Sequence, residues 1–263
     1  MPRRVMHRDV LPLSKAPKAS AGTPTGEAFN AEWIDFDHGI RVGHLEPHER
    51  ITQILKYRLE QRHGTPFVTD RWGRGVYWQW ICWLPRSNRE AKPVSSAFNF
   101  GCSKLYIMTD RSLRLFHCGL QVERGFAAGK PDYRGSLLAD DWDWHRLMKG
   151  CSAGTEMDRE IRRLILREGF MINVHGAEKD VVYDKKNFTS SRQIRNAARR
   201  CPADRWAGFQ LYYPMPEPEV RAAGGYELVQ AVLGAFNEVV PVMNLCMQVK
   251  IEDARPLPRI PVR

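Results

Sequence analysis

The nine-residue segment VYWQWICWL, residues 76–84, constrains the fold more than any other part of the chain. Apolar and aromatic side chains occupy both its odd and its even positions, so both faces of a strand formed here are expected to be buried. A strand of that kind belongs in the middle of a sheet. Residues 71–83, which overlap it, hold four of the chain's eight tryptophans. We therefore expect a sheet whose core is rich in aromatic residues.

The order of the remaining segments predicts an α+β fold, with an antiparallel-rich mixed sheet flanked by helices. Apolar spacing, caps and helix breakers predict helices at 47–63, 140–149, 155–169, 190–200 and 226–240. Alternation and β-branched or aromatic content predict further strands at 96–108, 113–123, 170–175, 181–184, 206–213 and 243–251. Strands clustered in hairpins and then interleaved with helices are not typical of a doubly wound parallel sheet.

Two details of this prediction depend on turns and on proline. A two-residue turn within residues 109–112 would place Lys104 opposite His117 on the neighbouring strand. Pro241 is expected to end the helix at 226–240, because proline lacks the N–H that a helix interior needs. The alternation beyond it predicts a half-buried strand, with a continued helix as the alternative.

Composition divides the chain into four parts. Residues 1–30 are rich in Pro, Gly, Ser, Thr and Ala and are predicted to be a disordered basic arm. Residues 31–135 form a half with one helix and many strands, and residues 136–252 form a helix-rich α+β half. The loop at 126–138, which contains glycine and proline, is the expected boundary. Residues 253–263 are predicted to be an extended basic tail.

Several functional classes are disfavoured by the sequence. No run approaches eighteen uninterrupted apolar residues, so we expect no membrane association. The six cysteines form no CxxC pair, which leaves a closed zinc site without half of its ligands. Neither a Walker lysine motif nor a third glycine in register after Gly73 and Gly75 is present. We predict no cofactor, and the irregular cysteine spacing favours a cytoplasmic protein.

The strongest binding signal is the segment 185–205, which carries seven positive residues and one negative residue. Arg192, Arg195 and Arg199 repeat at helical spacing and are expected on one side of a helix. Backbone N–H groups at residues 189–191 would face a phosphate at the start of this helix. With a net charge of +10, the pattern indicates binding to nucleic acid, either DNA or RNA. The predicted contact residues are Lys185, Lys186, Arg192, Arg195, Arg199, Arg200 and Arg205.

The tryptophan-rich strand offers a second binding surface. Trp78 and Trp80 are expected on the same face of the strand, behind Arg71 and Arg74, where they could stack on bases. The alternative is that these indoles fill the core, as aromatic residues in strands commonly do.

A catalytic alternative rests on the sequence DDWDWH at residues 140–145. On a helix, Asp141 and His145 lie four residues apart and can form an acid–base pair, with Asp143 nearby. The segment IDFDHG at 34–39 repeats the acidic pattern beside a histidine, and together the two could bind a divalent metal and hydrolyse phosphodiesters. The simpler interpretation is that acidic residues favour the start of a helix.

The resulting hypothesis is a nucleic-acid-associated protein, a non-catalytic subunit of a larger assembly with possible protein partners. Metal-dependent phosphodiester hydrolysis is one alternative. A protein-interaction or scaffold role, using the helix at 226–240 and the alternating segment after it, is the other. The pair His117–Cys118 has residue types found in nucleophile sites, but a buried structural cysteine accounts for it better.

Overall fold

The computed structural model describes residues 23–91, 102–124, 143–176, 178–202 and 206–251. Within them it contains nine strands and seven α-helices, which confirms the predicted α+β class. The strands are β1 Ile34–Asp35, β2 Gly39–Arg41, β3 Phe67–Arg74, β4 Tyr77–Pro85, β5 Lys104–Asp110, β6 Leu115–Arg124, β7 Met171–His175, β8 Val181–Tyr183 and β9 Ala207–Pro216. The helices are α1 Ile51–His63, α2 Arg86–Glu90, α3 Asp143–Gly150, α4 Glu156–Leu166, α5 Arg192–Arg199, α6 Glu217–Ala222 and α7 Gly225–Cys246.

All nine strands join one sheet, and every described pairing is antiparallel. The order is β1-β2-β4-β5-β6-β9-β7-β8, and β3 pairs with β4 outside this path. Strand β4 pairs with β3, β2 and β5 and so lies inside the sheet. This is the position expected for a segment that is apolar on both faces. Pairing of β6 with β9 joins strands from the two predicted halves.

The main core lies between one face of the sheet and the helices. Every described helix except the short α2 contributes apolar side chains to it. Trp83 of β4 is fully buried there, and its indole Nε1 donates to the Thr52 carbonyl at 3.1 Å. A smaller cluster on the opposite face includes Cys82, Tyr106 and Tyr212. Along β4, side chains from Ile81 to Leu84 alternate between these two clusters.

Helix α7 is the core helix of the molecule, and it corrects the prediction for residues 241–251. It continues through Pro241 to Cys246, so the predicted strand at 243–251 is wrong. The buried residues Val239, Val240, Met243 and Cys246 continue the helical stripe, and their burial outweighs the backbone hydrogen bond lost at proline. Because α7 is apolar on most sides, its last residues show the alternation of apolar and polar positions that suggested a strand.

Among the described helices, α7 alone is long and apolar enough to cross a membrane, judged by length and composition. About 61% of its most apolar window is buried inside the fold. The core helix of a globular protein passes the same test, so this result carries little weight.

Strand β9 also runs further than expected, through Pro214 to Pro216. Its pairing with β7 stops at Tyr212, so the two prolines lie where β9 has a strand partner on one side only. A proline without an N–H is tolerated at such a position.

The β5–β6 hairpin has a longer turn than predicted. Asp110 pairs with Leu115, and the Asp110 carboxylate accepts hydrogen bonds from the Ser112 and Leu113 N–H groups. This register places Met108, not Lys104, opposite His117. The two-residue turn is therefore wrong, and the predicted Lys104–His117 pairing does not form.

Candidate nucleic-acid interface

Helix α5 forms where the sequence predicts it and packs on β7. Its buried side consists of Ile194, Ala197 and Ala198, each at most 2% exposed. Small residues at two of these positions bring the helix close to the sheet and leave the rest of its circumference to polar side chains. The predicted helix is thus anchored by a narrow apolar side and presents its charges outward.

Five of the predicted contact residues are exposed: Lys185, Lys186, Arg192, Arg199 and Arg200. Within the part of the chain that the structure describes, none of them forms an ion pair. A surface cation with no carboxylate beside it keeps its full charge available to an anion in solution. These five side chains are therefore exposed positive charges that no described carboxylate neutralises.

Two predicted contact residues differ from these five. Arg195 is half-buried, and its Nη1 donates to the Ser152 hydroxyl at 2.8 Å, so it is turned toward the loop before α4. Arg205 lies outside the described residues. The exposed cations of the helix itself are consequently Arg192 and Arg199, followed by Arg200 at its C-cap.

The backbone N–H groups at the start of α5 are already bonded within the protein. The Ser191 N–H donates to the Asp158 carboxylate at 2.8 Å. The Thr189 and Ser190 N–H groups donate to the Gln193 side-chain oxygen at 2.7 and 3.2 Å. The predicted phosphate site at this helix start is thus wrong, and only side chains remain to contact phosphates.

Trp78 and Trp80 lie on opposite faces of the sheet, so the prediction of a shared face is wrong. The register between β3 and β4 shifts between Trp72 and Gly73, which breaks the alternation of side chains. Trp78 packs against the main core, whereas Trp80 joins the smaller cluster. The Arg71 guanidinium stacks on the Trp78 ring at 3.7 Å from its centre. The two indoles therefore do not form one platform.

The face that carries Trp80 also holds a layer of buried polar side chains. The Gln121 side-chain oxygen accepts from Trp80 Nε1 and from Gln210 Nε2, both at 2.9 Å. The Lys104 ammonium forms a buried ion pair with Glu123. Burial alone lowers the pKa of Lys104, but the Glu123 carboxylate outweighs it and raises this pKa above its ordinary value. Trp80 is thus one member of a bonded interior layer.

His117 lies in the same layer and is 4% exposed. Its ring stacks on Tyr212 with centroids 4.1 Å apart, and neither ring nitrogen has a hydrogen-bond partner among the described residues. Burial lowers the pKa of His117 to about 4. The neighbouring Cys118 points to the main core, where burial raises the pKa of its thiol. A neutral imidazole and a protonated thiol on opposite faces do not make a nucleophile and base pair.

A polar groove of about 530 Å³ lies at the end of the sheet where β4 begins and β5 ends. Trp72, which the sequence analysis did not single out, is 69% exposed and lines it. Arg74 and Arg111 line the same groove, are exposed, and form no ion pair with any described residue. The sequence feature that could have identified Trp72 as a site residue is its position between two arginines just before Gly73, at the tip of a hairpin.

The residues of the catalytic alternative are placed as follows. Asp141 lies outside the described residues. Asp143 begins α3 and is fully buried, and its carboxylate accepts hydrogen bonds from Asn88 Nδ2 at 2.8 Å and from the Ser103 N–H at 2.6 Å. His145, two residues later, is half-buried. The described ranges contain no group of three or more His, Cys, Asp or Glu side chains able to hold a metal ion.

The second acidic segment, at the turn between β1 and β2, is bonded locally. The Asp35 carboxylate accepts from the Asp37 and His38 N–H groups and contacts His38 Nδ1 at 2.9 Å. These bonds are those of a tight turn.

Comparison with known proteins assigns no relationship: no protein-family profile matches the chain, and no curated protein shows significant similarity to it.

Proposed function

We propose that the protein binds nucleic acid through the exposed cations of residues 185–200. The observation that carries this proposal is that Lys185, Lys186, Arg192, Arg199 and Arg200 have no carboxylate partner among the described residues. Contacts of such side chains with phosphates release condensed counterions, which provides affinity independent of base sequence.

The local surroundings of α5 support this proposal. The helix contains no acidic residue, and its buried side occupies only three positions. Asp184, which precedes Lys185, accepts hydrogen bonds from the Lys186 and Asn187 N–H groups and is thereby held in a turn. Each exposed cation can thus reach a phosphate without first breaking an ion pair within the described chain.

The test compares two triple variants that remove the same charge. In the first, Arg192, Arg199 and Arg200 are changed to Gln. In the second, Arg86, Lys149 and Arg167, which are exposed cations at other helices, are changed to Gln. Fluorescence anisotropy with labelled DNA and RNA strands of about 20 nucleotides measures the affinity across a salt series.

We expect the first variant to lose about 100-fold in affinity at low salt, since each surface contact contributes about 1 kcal/mol. Its dependence of log K on log salt should flatten by about two to three. The second variant should stay within about threefold of the wild type, because distant charges are screened. Equal losses in both variants, or no binding by the wild type at low salt, would contradict the proposal.

A further inference from the structure

The groove beside Trp72 combines an open aromatic ring with two cations that form no ion pair with a described residue. The Trp72 indole is 69% exposed, so its ring face is open to stacking by another flat ring. Arg74 follows two residues later on the same strand, and Arg111 enters from the β5–β6 turn. A ligand with a flat ring and a nearby anionic group would match both features.

Gly73, between Trp72 and Arg74, lets the groove end of β3 lie close against β4. Its φ of +151° is one that residues with a side chain rarely adopt. A Cβ at this position would come within 2.5 Å of the Trp78 Cα, so the backbone lies directly against β4. The ring and the guanidinium therefore flank a position with no side chain.

Among the described residues that line the groove, Asp37 carries the one carboxylate, and it forms an ion pair with Arg114. Arg114 Nη1 lies 2.6 Å from the Asp37 carboxylate, and Arg114 Nε lies 2.6 Å from Glu217. Arg74 and Arg111 are left without a carboxylate among the described residues. An anionic ligand would thus meet two free guanidinium groups and no free carboxylate on the described walls of the groove.

From this geometry we infer that the groove binds one nucleotide unit of a single-stranded nucleic acid. The base stacks on Trp72, and the adjoining phosphate contacts Arg74 and Arg111. The volume of about 530 Å³ lies within the usual range for small-ligand sites. A duplex cannot offer a base face in this way, since its bases are already stacked on each other. The inference takes nucleic acid as the ligand from the proposed function, but it depends on different residues of the protein.

One strand that contacts both sites has to cross a large part of the sheet. Lys185 and Lys186 follow the end of β8, where Tyr183 pairs with Ile172 near the start of β7. Through the register of β9, β6 and β5, this pair is level with Trp83 near the end of β4, whereas the groove lies at the start of β4. Five strand spacings from β4 to β8, about 24 Å, are therefore combined with about 20 Å along the strands.

The test uses Trp72→Ala, Trp72→Phe and, as a matched control, Leu113→Ala. Leu113 is another exposed large apolar residue, at 62%, in the neighbouring β5–β6 turn. Each protein is titrated with a labelled single strand of about 20 nucleotides, with the matched duplex, and with deoxyadenosine monophosphate. Thermal melting confirms that all variants remain folded.

We expect Trp72→Ala to weaken single-strand binding about tenfold and to leave duplex binding unchanged. Trp72→Phe should retain most of the affinity, and Leu113→Ala should retain all of it. Changing Arg74 and Arg111 to Gln should flatten the salt dependence of single-strand binding by about 0.7, the value for one phosphate contact.

The outcomes separate this inference from the proposed function. If Trp72→Ala behaves like Leu113→Ala while the Arg192, Arg199 and Arg200 variant loses affinity, the groove inference fails and the proposed function stands. An equal loss of duplex binding in Trp72→Ala also overturns base stacking. If the monophosphate binds as tightly as the strand and ignores the triple variant, the groove takes a free nucleotide and the proposed function fails.

Discussion

Helices α4 and α5 carry similar sets of arginines but hold them differently. Each has three arginines within the helix and a fourth at its C-cap. On α4, Arg162 contacts Asp158, and Arg163 contacts Glu160, Glu168 and Glu238. On α5, no arginine forms an ion pair with a described residue. Arginine content alone therefore does not identify a binding helix.

The difference has a physical cause in the neighbouring residues. Acidic side chains are interleaved with the arginines of α4, and Glu238 of α7 adds one from a distant part of the chain. The segment RQIRNAAR of α5 contains no acid. Arg162 and Arg163 of α4 are thus bound to carboxylates of the fold, whereas Arg192, Arg199 and the C-cap Arg200 of α5 meet no carboxylate among the described residues.

The largest expected effect is a loss of folding stability at low pH caused by His117. This loss limits the pH range in which variants of the two helices can be compared. Burial lowers the pKa of His117 to about 4, so the unfolded chain binds more protons between that value and the ordinary 6.5. Stability should thus be complete above pH 6.5 and fall by about 3 kcal/mol as the pH approaches 4. Urea unfolding at several pH values measures this fall.

In His117→Phe, the ring can still stack on Tyr212 but carries no titratable group. This variant should show a much flatter pH dependence over the same interval. An unchanged pH dependence would assign the acid sensitivity to another group. The comparison of α4 with α5 is cleanest above pH 6.5, where arginines are charged and His117 is neutral in both states.

The next effect concerns Asp158, the residue that joins the two helices. Its buried carboxylate accepts from the Gly154 and Ser191 N–H groups at 3.0 and 2.8 Å. Burial raises the pKa of Asp158, but these backbone hydrogen bonds outweigh it and lower the pKa. Its contribution to stability is therefore complete above the ordinary carboxyl pKa and is lost as the pH falls through the lowered value.

Asp158→Ala should lower the free energy of unfolding by about 2 kcal/mol, because it leaves two N–H groups without acceptors. Glu156→Ala, an exposed acid in the same helical turn, should cost only about 0.5 kcal/mol. Chemical denaturation of both variants at neutral pH measures the difference. Equal costs would show that the link between the helices contributes little.

The smallest effect tests the two helices against each other directly. Arg163→Met removes the contact of Arg163 with Glu238 at 2.5 Å and should destabilise the protein by about 1 kcal/mol, without changing nucleic-acid affinity. Arg199→Met should leave stability within about 0.5 kcal/mol and flatten the salt dependence of binding by about one. Melting and anisotropy on the same samples measure both quantities. A reversed pattern would contradict the assignment of roles.

Much of the fold follows from local patterns. The apolar spacing predicts α1, and Gly64 ends it in the left-handed conformation. Thr155, three residues before an acid, has the spacing of an N-cap, and its hydroxyl accepts the Asp158 N–H at 3.1 Å. These features depend on residues a few positions apart, which a single sequence records. The narrow apolar side of α5 belongs to the same class.

Other features were decided by contacts between distant parts of the chain. Arg114 pairs with Asp37 and Glu217, which lie 77 and 103 residues away from it in the sequence. The register shift beside Trp72 separates Trp78 from Trp80 and cannot be inferred from strict alternation.

By itself, the sequence determined most of the helices and strands, though not the helical form of residues 243–246, and it determined where positive charge is concentrated. Only the tertiary structure decided which cations meet a carboxylate and which indole remains open to solvent. Periodicity depends on the backbone geometry of neighbouring residues, whereas charge pairing depends on side chains that folding brings together.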